Sequence, residues 1–486
     1  MKKTIQMTET GVVITPYYKN QNYYFEKLTS TYDTVRHKRN PVTGLILENG
    51  DKPDCFVTHL HNPTFLQAQF PGYILEEIPK TFAKKLSVPV NMNPDITPKE
   101  AQYEIIQEIM AHDKKSQWFV YLSQGLGKTL LTVYLMTYFN KKTLIMCYNK
   151  DILFQWRDTM KEKTNIDPRK ILYMDSSKLL NTIATGDFPV WEYDVFMCTP
   201  GLLSSFGKKY GYYLINALME KMGIGFKVFD EAHRNISNII KINAFTSIER
   251  TIYLSGDFGQ SDRRKEQLYF NMFHGIPILQ PSEELMNTLK FTVAIVVRYN
   301  TKPTELDKAS VYSKRGFSFY EYMKYQFRKP LFFETLDFVI STIKKTNTKH
   351  YKILILVNMI DHVDQLTEKI KEKYSDAYTI GSYHSNIPES EREFCKDHCD
   401  IIISTYQSFS TGIDVSCIKY VISCSICTKI DDNQASGRAR PLPDGSDAYY
   451  FMLADYGFPY TKKKLGLRLE YLKQTKIKNI ESIKYE

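Results

Sequence analysis

From about residue 115 to 460, short uninterrupted apolar runs alternate with longer stretches whose apolar residues recur every three or four positions. The runs fall at 118–122, 143–148, 195–198, 226–229, 252–254, 352–357, 401–404 and 420–423, and are rich in β-branched and aromatic residues. Continuous apolar strands separated by amphipathic helices predict parallel sheets covered on both faces. The region is too long for one such sheet. A less regular stretch, 258–335, basic around Arg263-Arg264-Lys265 and Arg328-Lys329, is where a division is expected. A helix is predicted over 98–110, with Thr97 as its N-cap.

Residues 1–95 have a different rhythm. Short strand-like runs at 11–16, 43–48 and 55–60 are broken by turn signals, and Asn49-Gly50 predicts a hairpin. Lys19, Lys27, Arg36 and Lys38 are interleaved with Tyr17, Tyr18, Tyr23 and Tyr24. That pattern fits a DNA-contacting accessory domain or a small β-rich cap with a solvated basic face. The turn-rich segment 90–98 separates it from the α/β region. The expected division is 1–95, an N-terminal β-rich domain; 96–285 and 286–465, two α/β domains; and 466–486, a C-terminal tail.

Composition narrows the class. A hydrophobic fraction of 43% and a charged fraction of 24% are those of a soluble globular protein. No run approaches eighteen apolar residues, so no membrane partner is expected. Lys2 and Lys3 are not succeeded by an apolar core, which predicts a cytoplasmic protein. The net charge of +10 fits a polyanionic partner, though it also serves solubility. Most cysteines sit in apolar runs, as buried cytosolic thiols do. Cys395, Cys399, Cys424 and Cys427 do not make a zinc site, because Cys424 and Cys427 fall in a strand-like run on opposite faces.

The candidate chemistry begins after the 118–122 run. Ser123-Gln124-Gly125-Leu126-Gly127-Lys128-Thr129 leads into a helix-like stretch, the strand, glycine turn and helix of a phosphate-cradling loop. Leu122 stands where the general pattern has a glycine. Backbone N–H groups close on phosphate oxygens, Lys128 adds positive charge, and the Thr129 hydroxyl suits Mg²⁺. A second strand-like run ends in Asp230-Glu231-Ala232-His233. Asp230 can share the Mg²⁺, and Glu231 can orient or deprotonate the attacking water.

Together these segments resemble the superfamily 2 helicases of the DEAH-box kind, and further segments match in the family's order. Gln102 resembles the upstream glutamine that reads adenine. Asn149, Lys150 and Gln155 in one segment, then Thr199-Pro200, resemble those touching the nucleic-acid backbone. Ser255 and Asp257 occupy the coupling motif together with His233, although Asp257 stands where a threonine is usual. Ser404-Thr405, Gly412 and Asp414 resemble the motif linking strand contact to nucleotide. Gln434, Arg438 and Arg440 resemble the arginine-finger motif, whose second arginine comes one residue early here. The resemblance implies two tandem RecA-like parallel-sheet domains, ATP and Mg²⁺ as cofactors, and DNA as partner. It leans towards phage and viral DNA helicases: the branch-migration helicases of the UvsW type and the poxvirus transcript-release helicase, relatives of XPB-like and RecG-like motors. Branched or forked DNA is then the expected substrate. Transcript release, RNA unwinding and an ATPase switch without unwinding are the alternatives. Lys128→Ala and Glu231→Gln are each expected to abolish ATP turnover, the second with ATP still bound. Hydrolysis retained in Glu231→Gln would remove its assigned role.

Overall fold

The computed structural model describes residues 4–7, 12–15, 56–58, 66–67, 69–76, 82–112, 116–122, 125–256, 276–288, 290–313, 316–410, 415, 417–439, 442, 444–473 and 477–485. The long stretches 126–281 and 282–486 fall in different compact units, and 1–122 goes with the first.

In the N-terminal region β1 (Thr4–Met7), β2 (Val12–Thr15), β3 (Phe56–Thr58) and β4 (Ile74–Glu76) form a sheet of order β3-β2-β1-β4. Only the β1–β4 pairing is parallel. Ile5, Val12, Ile14, Leu66 and Phe70 join one buried cluster with Phe196, Leu203 and Phe229 of the α/β domain. The described residues of 1–95 thus share a buried cluster with the α/β domain. The predicted Asn49-Gly50 hairpin, the 43–48 run and the Lys19-to-Lys38 basic segment lie outside the described residues.

The rest of the first unit runs α1 (Glu100–Ala111), β5 (Gln117–Tyr121), α2 (Lys128–Phe139), β6 (Thr143–Met146), α3 (Lys150–Lys163), β7 (Ile171–Tyr173), α4 (Ser177–Thr185), β8 (Val195–Cys198), α5 (Pro200–Tyr210), α6 (Tyr213–Met222), β9 (Phe226–Phe229), α7 (Ile236–Ala244), β10 (Arg250–Ser255) and β11 (Ile278–Leu279). The sheet order is β11-β5-β10-β9-β6-β8-β7, with every pairing parallel. The carboxyl ends of the strands therefore share one edge, the edge where ligands bind in open α/β sheets. The N-cap of α1 is Lys99 rather than Thr97.

The second unit runs α8 (Glu283–Thr288), β12 (Thr292–Tyr299), α9 (Glu305–Val311), β13 (Tyr312–Ser313), β14 (Gly316–Phe317), α10 (Phe319–Phe327), α11 (Pro330–Thr346), β15 (Lys352–Val357), α12 (Ile360–Tyr374), β16 (Ile380–Tyr383), α13 (Glu389–His398), β17 (Ile401–Thr405), α14 (Tyr406–Ser410), β18 (Ile418–Ser423), α15 (Lys429–Ser436), β19 (Ala448–Asp455), α16 (Pro459–Leu472) and β20 (Ile477–Lys484). Its sheet, β16-β17-β15-β18-β19-β12-β20, is also parallel throughout. Ile353, Ile355 and Val357 pack in one cluster while Leu354 and Leu356 pack in another. Both faces of β15 are buried, which is why its sequence is apolar without alternation.

The two units divide at 281/282, inside the 258–335 stretch where a division is expected. The later part of that stretch is not irregular: it contains β12, an inner strand between β19 and β20. One expectation is corrected. Residues 466–486 are no tail: they finish α16 and supply the edge strand β20, whose lysines and glutamate suit its exposure.

One buried group ties the first sheet to its helices without an acid. Lys227 in β9 is fully buried, and its ammonium nitrogen donates to Asn243 Oδ1 at 2.9 Å and Thr246 Oγ1 at 2.7 Å. Burial pushes its pKa down to about 7. Between there and the ordinary value of 10.5, the unfolded chain holds a proton that the folded chain lacks, so stability rises with pH across that window. Urea midpoints of wild type and Lys227→Met between pH 7 and 10 check this. The wild type is expected to gain relative to the variant as pH rises; parallel curves would show that Lys227 keeps its charge when folded.

Candidate active site

The phosphate loop joins β5 to α2. Gly125 and Gly127 have φ of +78° and +84°, the left-handed region that glycine enters without steric cost. Lys128 is the first residue of α2, so the loop's N–H groups converge at a helix N-terminus, a ready anion site. Gln102 holds this loop from below. Its Oε1 accepts from the Lys99 N–H at 2.8 Å, and its Nε2 donates to the carbonyls of Leu126 at 3.1 Å and Gly127 at 3.0 Å. An adenine contact there would have to exchange these bonds. A Cβ on Gly127 would come within 2.0 Å of Gln102 Nε2.

At the carboxyl end of β9 the chain turns sharply. Glu231 takes φ +48°, a left-handed conformation costing a non-glycine residue of order 1–3 kcal/mol. Its N–H donates to Asp230 Oδ1 at 2.9 Å, and Ala232 N–H donates to Leu254 O at 2.9 Å. The turn aims Glu231 at the loop, where Lys128 Nζ meets its Oε1 at 2.6 Å. His233, 3% exposed, places Nδ1 3.3 Å from Glu231 Oε2 and 2.9 Å from Ser255 Oγ at the end of β10. The expected phosphate lysine, acids, histidine and Ser255 therefore lie in one connected group.

The two carboxyls are pushed apart. Burial, reinforced by the Glu231 charge, raises the Asp230 carboxyl above its usual range. Burial acts in the same sense on Glu231, but Lys128, then His233, outweigh it and lower that carboxyl. Asp230 is the group short of positive charge. Among the described residues no three His, Cys, Asp or Glu side chains gather to form a metal cage. Mg²⁺ needs only one or two carboxylates besides water and phosphate oxygens, and Asp230 with the Thr129 hydroxyl is a donor set of that kind.

Trp156, missed as a site residue, donates its indole N–H to Asp230 Oδ2 at 3.0 Å. The segment around it also departs from a plain nucleic-acid face. Asn149 caps α3, accepting from Ile152 N–H at 3.0 Å; Lys150 is exposed and Gln155 half-buried. Thr199 caps α5, with Pro200 at its first position.

In the second unit, Ser404 is fully buried and its hydroxyl donates to the Tyr383 carbonyl at 2.5 Å. Thr405 is buried and bonded to Ser408. Neither presents its side chain as the nucleic-acid contact expected of it. Gln434 is buried on α15, and the Arg438 guanidinium, also buried, lies 5.7 Å over the Phe409 ring. A further residue without a local signal is Arg468 of α16. It binds Asp432 of α15 through two bonds of 2.5 and 2.7 Å, and Tyr450 completes the cluster at 2.6 Å. This buried clamp sets the helix that carries Gln434. Ser123, Gln124, Asp257, Gly412, Asp414 and Arg440 lie outside the described residues. Cys395 and Cys399 share the space above Gly381, while Cys424 and Cys427 belong to clusters on different faces of the sheet.

Comparison with known proteins agrees with this arrangement. Residues 95–256 match the family "Type III restriction enzyme, res subunit", and residues 334–440 match "Helicase conserved C-terminal domain". The chain thus carries the paired domains of a superfamily 2 helicase, domains that are ATP-dependent and act with nucleic acid. No curated protein matches it in sequence. Its fold is similar to that of S. cerevisiae Dbp5 bound to RNA and ADP BeF3, with a TM-score of 0.53 and 13% identity over 80% of this chain and 90% of that one. It is likewise similar to the DEAD-box helicase Mss116 bound to ssRNA and UDP-BeF, with a TM-score of 0.54 and 16% identity over 80% and 75%. Two tandem RecA-like domains account for both parallel sheets.

Gly127→Ala is expected to lower both thermal stability and ATP affinity, since it strains φ and collides with Gln102. Adding Gln102→Ala should recover part of the loss by removing the collision. A strictly additive double variant would show that the two side chains do not meet.

Proposed function

We propose that the chain is an ATP-driven DNA helicase or translocase that remodels branched DNA such as forks and junctions. The observation that carries the motor reading is the 2.6 Å contact of Lys128 with Glu231 beside the buried Asp230. In this reading ATP phosphates compete for the Lys128 ammonium and release Glu231 to take a proton from water. His233, held by Ser255 of β10, keeps the Glu231 carboxylate in place. The Asp230 carboxylate and the Thr129 hydroxyl hold Mg²⁺, which when bound neutralises charge on the terminal phosphates. Trp156 fixes the Asp230 rotamer through its indole N–H.

DNA is favoured by two features. The first unit matches a family named for a restriction enzyme subunit, and the chain carries a net charge of +10. Branched DNA rests on the likeness of the segments at Asn149–Trp156 and Ser410–Ile413 to phage and viral DNA helicases. RNA is the second reading, because the similar solved structures are bound to RNA.

ATP turnover and strand displacement on forked DNA, four-way junctions, plain DNA duplex and RNA duplex separate these readings. Turnover is expected to rise most with branched DNA and to fall as salt screens phosphate contacts. Stimulation by RNA alone would replace DNA with RNA. Indifference to every nucleic acid would end the motor reading.

A further inference from the structure

Between β12 and α11 the second unit carries a small substructure that none of the helicase motifs includes. The two-stranded β13–β14 ribbon and helices α9 and α10 pack on the start of α16 through a satellite core of Val311, Tyr322, Tyr325 and Phe458. Above that core the surface is aromatic and basic. Phe317 and Tyr460 stack with ring centres 4.1 Å apart and planes 16° apart. Tyr320 is 50% exposed, with Lys324 Nζ 4.1 Å over its ring. Lys464 lies 5.6 Å over Tyr460.

The charges here are not balanced. The acids of α9 and α10 already have partners: Glu305 pairs with Lys308, Asp307 with Lys329, and Glu321 with Lys324. Lys462, Lys463 and Lys464 are consecutive on α16, and among the described residues none of them enters an ion pair. Lys462 lies 5.8 Å over the Tyr456 ring and Lys464 lies over Tyr460, and ammonium groups beside aromatic faces suit a ligand offering both phosphates and flat bases.

Position supports the same ligand. All strands of this sheet are parallel, so the residues after Tyr299 and Asp455 leave from its carboxyl edge, the edge where ligands bind in open α/β sheets.

We propose that Tyr320, Tyr460 and Lys462 to Lys464 form a holding surface for single-stranded nucleic acid, with bases stacking on the tyrosines and phosphates on the lysines. This rests on the reading of the chain as a nucleic-acid motor and extends it to a surface outside the motifs.

The test uses the full chain with fluorescein-labelled oligo-dT and oligo-U of twenty nucleotides, read by anisotropy across a salt series. A Lys462→Ala, Lys463→Ala, Lys464→Ala variant is expected to weaken binding about 10-fold or more. It should also lower the slope of log affinity against log salt by about 2, at roughly 0.7 per phosphate contact on single strands. Tyr320→Ala should weaken binding roughly 5- to 100-fold while leaving the salt slope unchanged. Turnover without nucleic acid should stay within about two-fold of wild type in both, because neither touches the phosphate loop. Variants that bind both probes with wild-type affinity and slope overturn the surface, as does a loss of basal turnover and thermal stability in step with binding. If the wild type itself binds neither probe, the motor reading falls and this surface with it. If the wild type binds and only the variants are indistinguishable from it, the motor reading stands without this surface.

Discussion

Two adjacent carboxylates at the end of β9, Asp230 buried and Glu231 nearly so, face the phosphate loop across one ammonium. That constraint shapes the rest of the first unit. Asp230 and Glu231 cannot both sit in a low-dielectric turn without opposite charge and donors close by. The structure meets this need from several sides: Lys128 from α2, Trp156 from α3, and His233 and the backbone N–H of Glu231 from the turn itself. Lys128 and Trp156 come from different helices, so the parallel sheet must hold both in register with the turn. The strained φ of Glu231 is tolerated because the surrounding bonds over-determine it.

The second unit solves a related problem with a different pair. Arg468 and Asp432 are both buried and joined by two bonds; Tyr450 donates to Asp432, and the Ser425 carbonyl and Ser423 hydroxyl accept from the guanidinium. A buried ion pair adds little net stability, yet removing one partner alone leaves a charge stranded in the core. Its effect here is to fix α15 against α16, and so to place Gln434. The satellite aromatic core under β13 and β14 does comparable work for the basic surface above it, giving short elements a rigid base.

Much of the site was readable because its chemistry is local in sequence. Gly125, Gly127 and Lys128 are spaced by the loop they form, and Asp230-Glu231 follow a short strand that is apolar apart from Lys227. The inner strands of both sheets were legible for the same reason, since burial on both faces demands uninterrupted apolar runs. Expectations failed where function depends on side-chain direction. Ser404 and Thr405 stand in a motif, yet their hydroxyls are bonded to the Tyr383 carbonyl and to Ser408. Thr97 looked like a cap, but Gln102 reached the Lys99 N–H first.

What the sequence by itself determined was the kind of fold and the pairing of a phosphate loop with two acids, because periodicity and short motifs encode neighbours along the chain. What only the tertiary structure decided were contacts between residues far apart in it. Trp156 finds Asp230 across 74 positions, and Arg468 finds Asp432 across 36. The N-terminal strands surrender their core to the first large sheet, and β20 turns an expected tail into a sheet edge. Strand order carries this information, and no local pattern of apolar and polar residues specifies which strands will lie side by side.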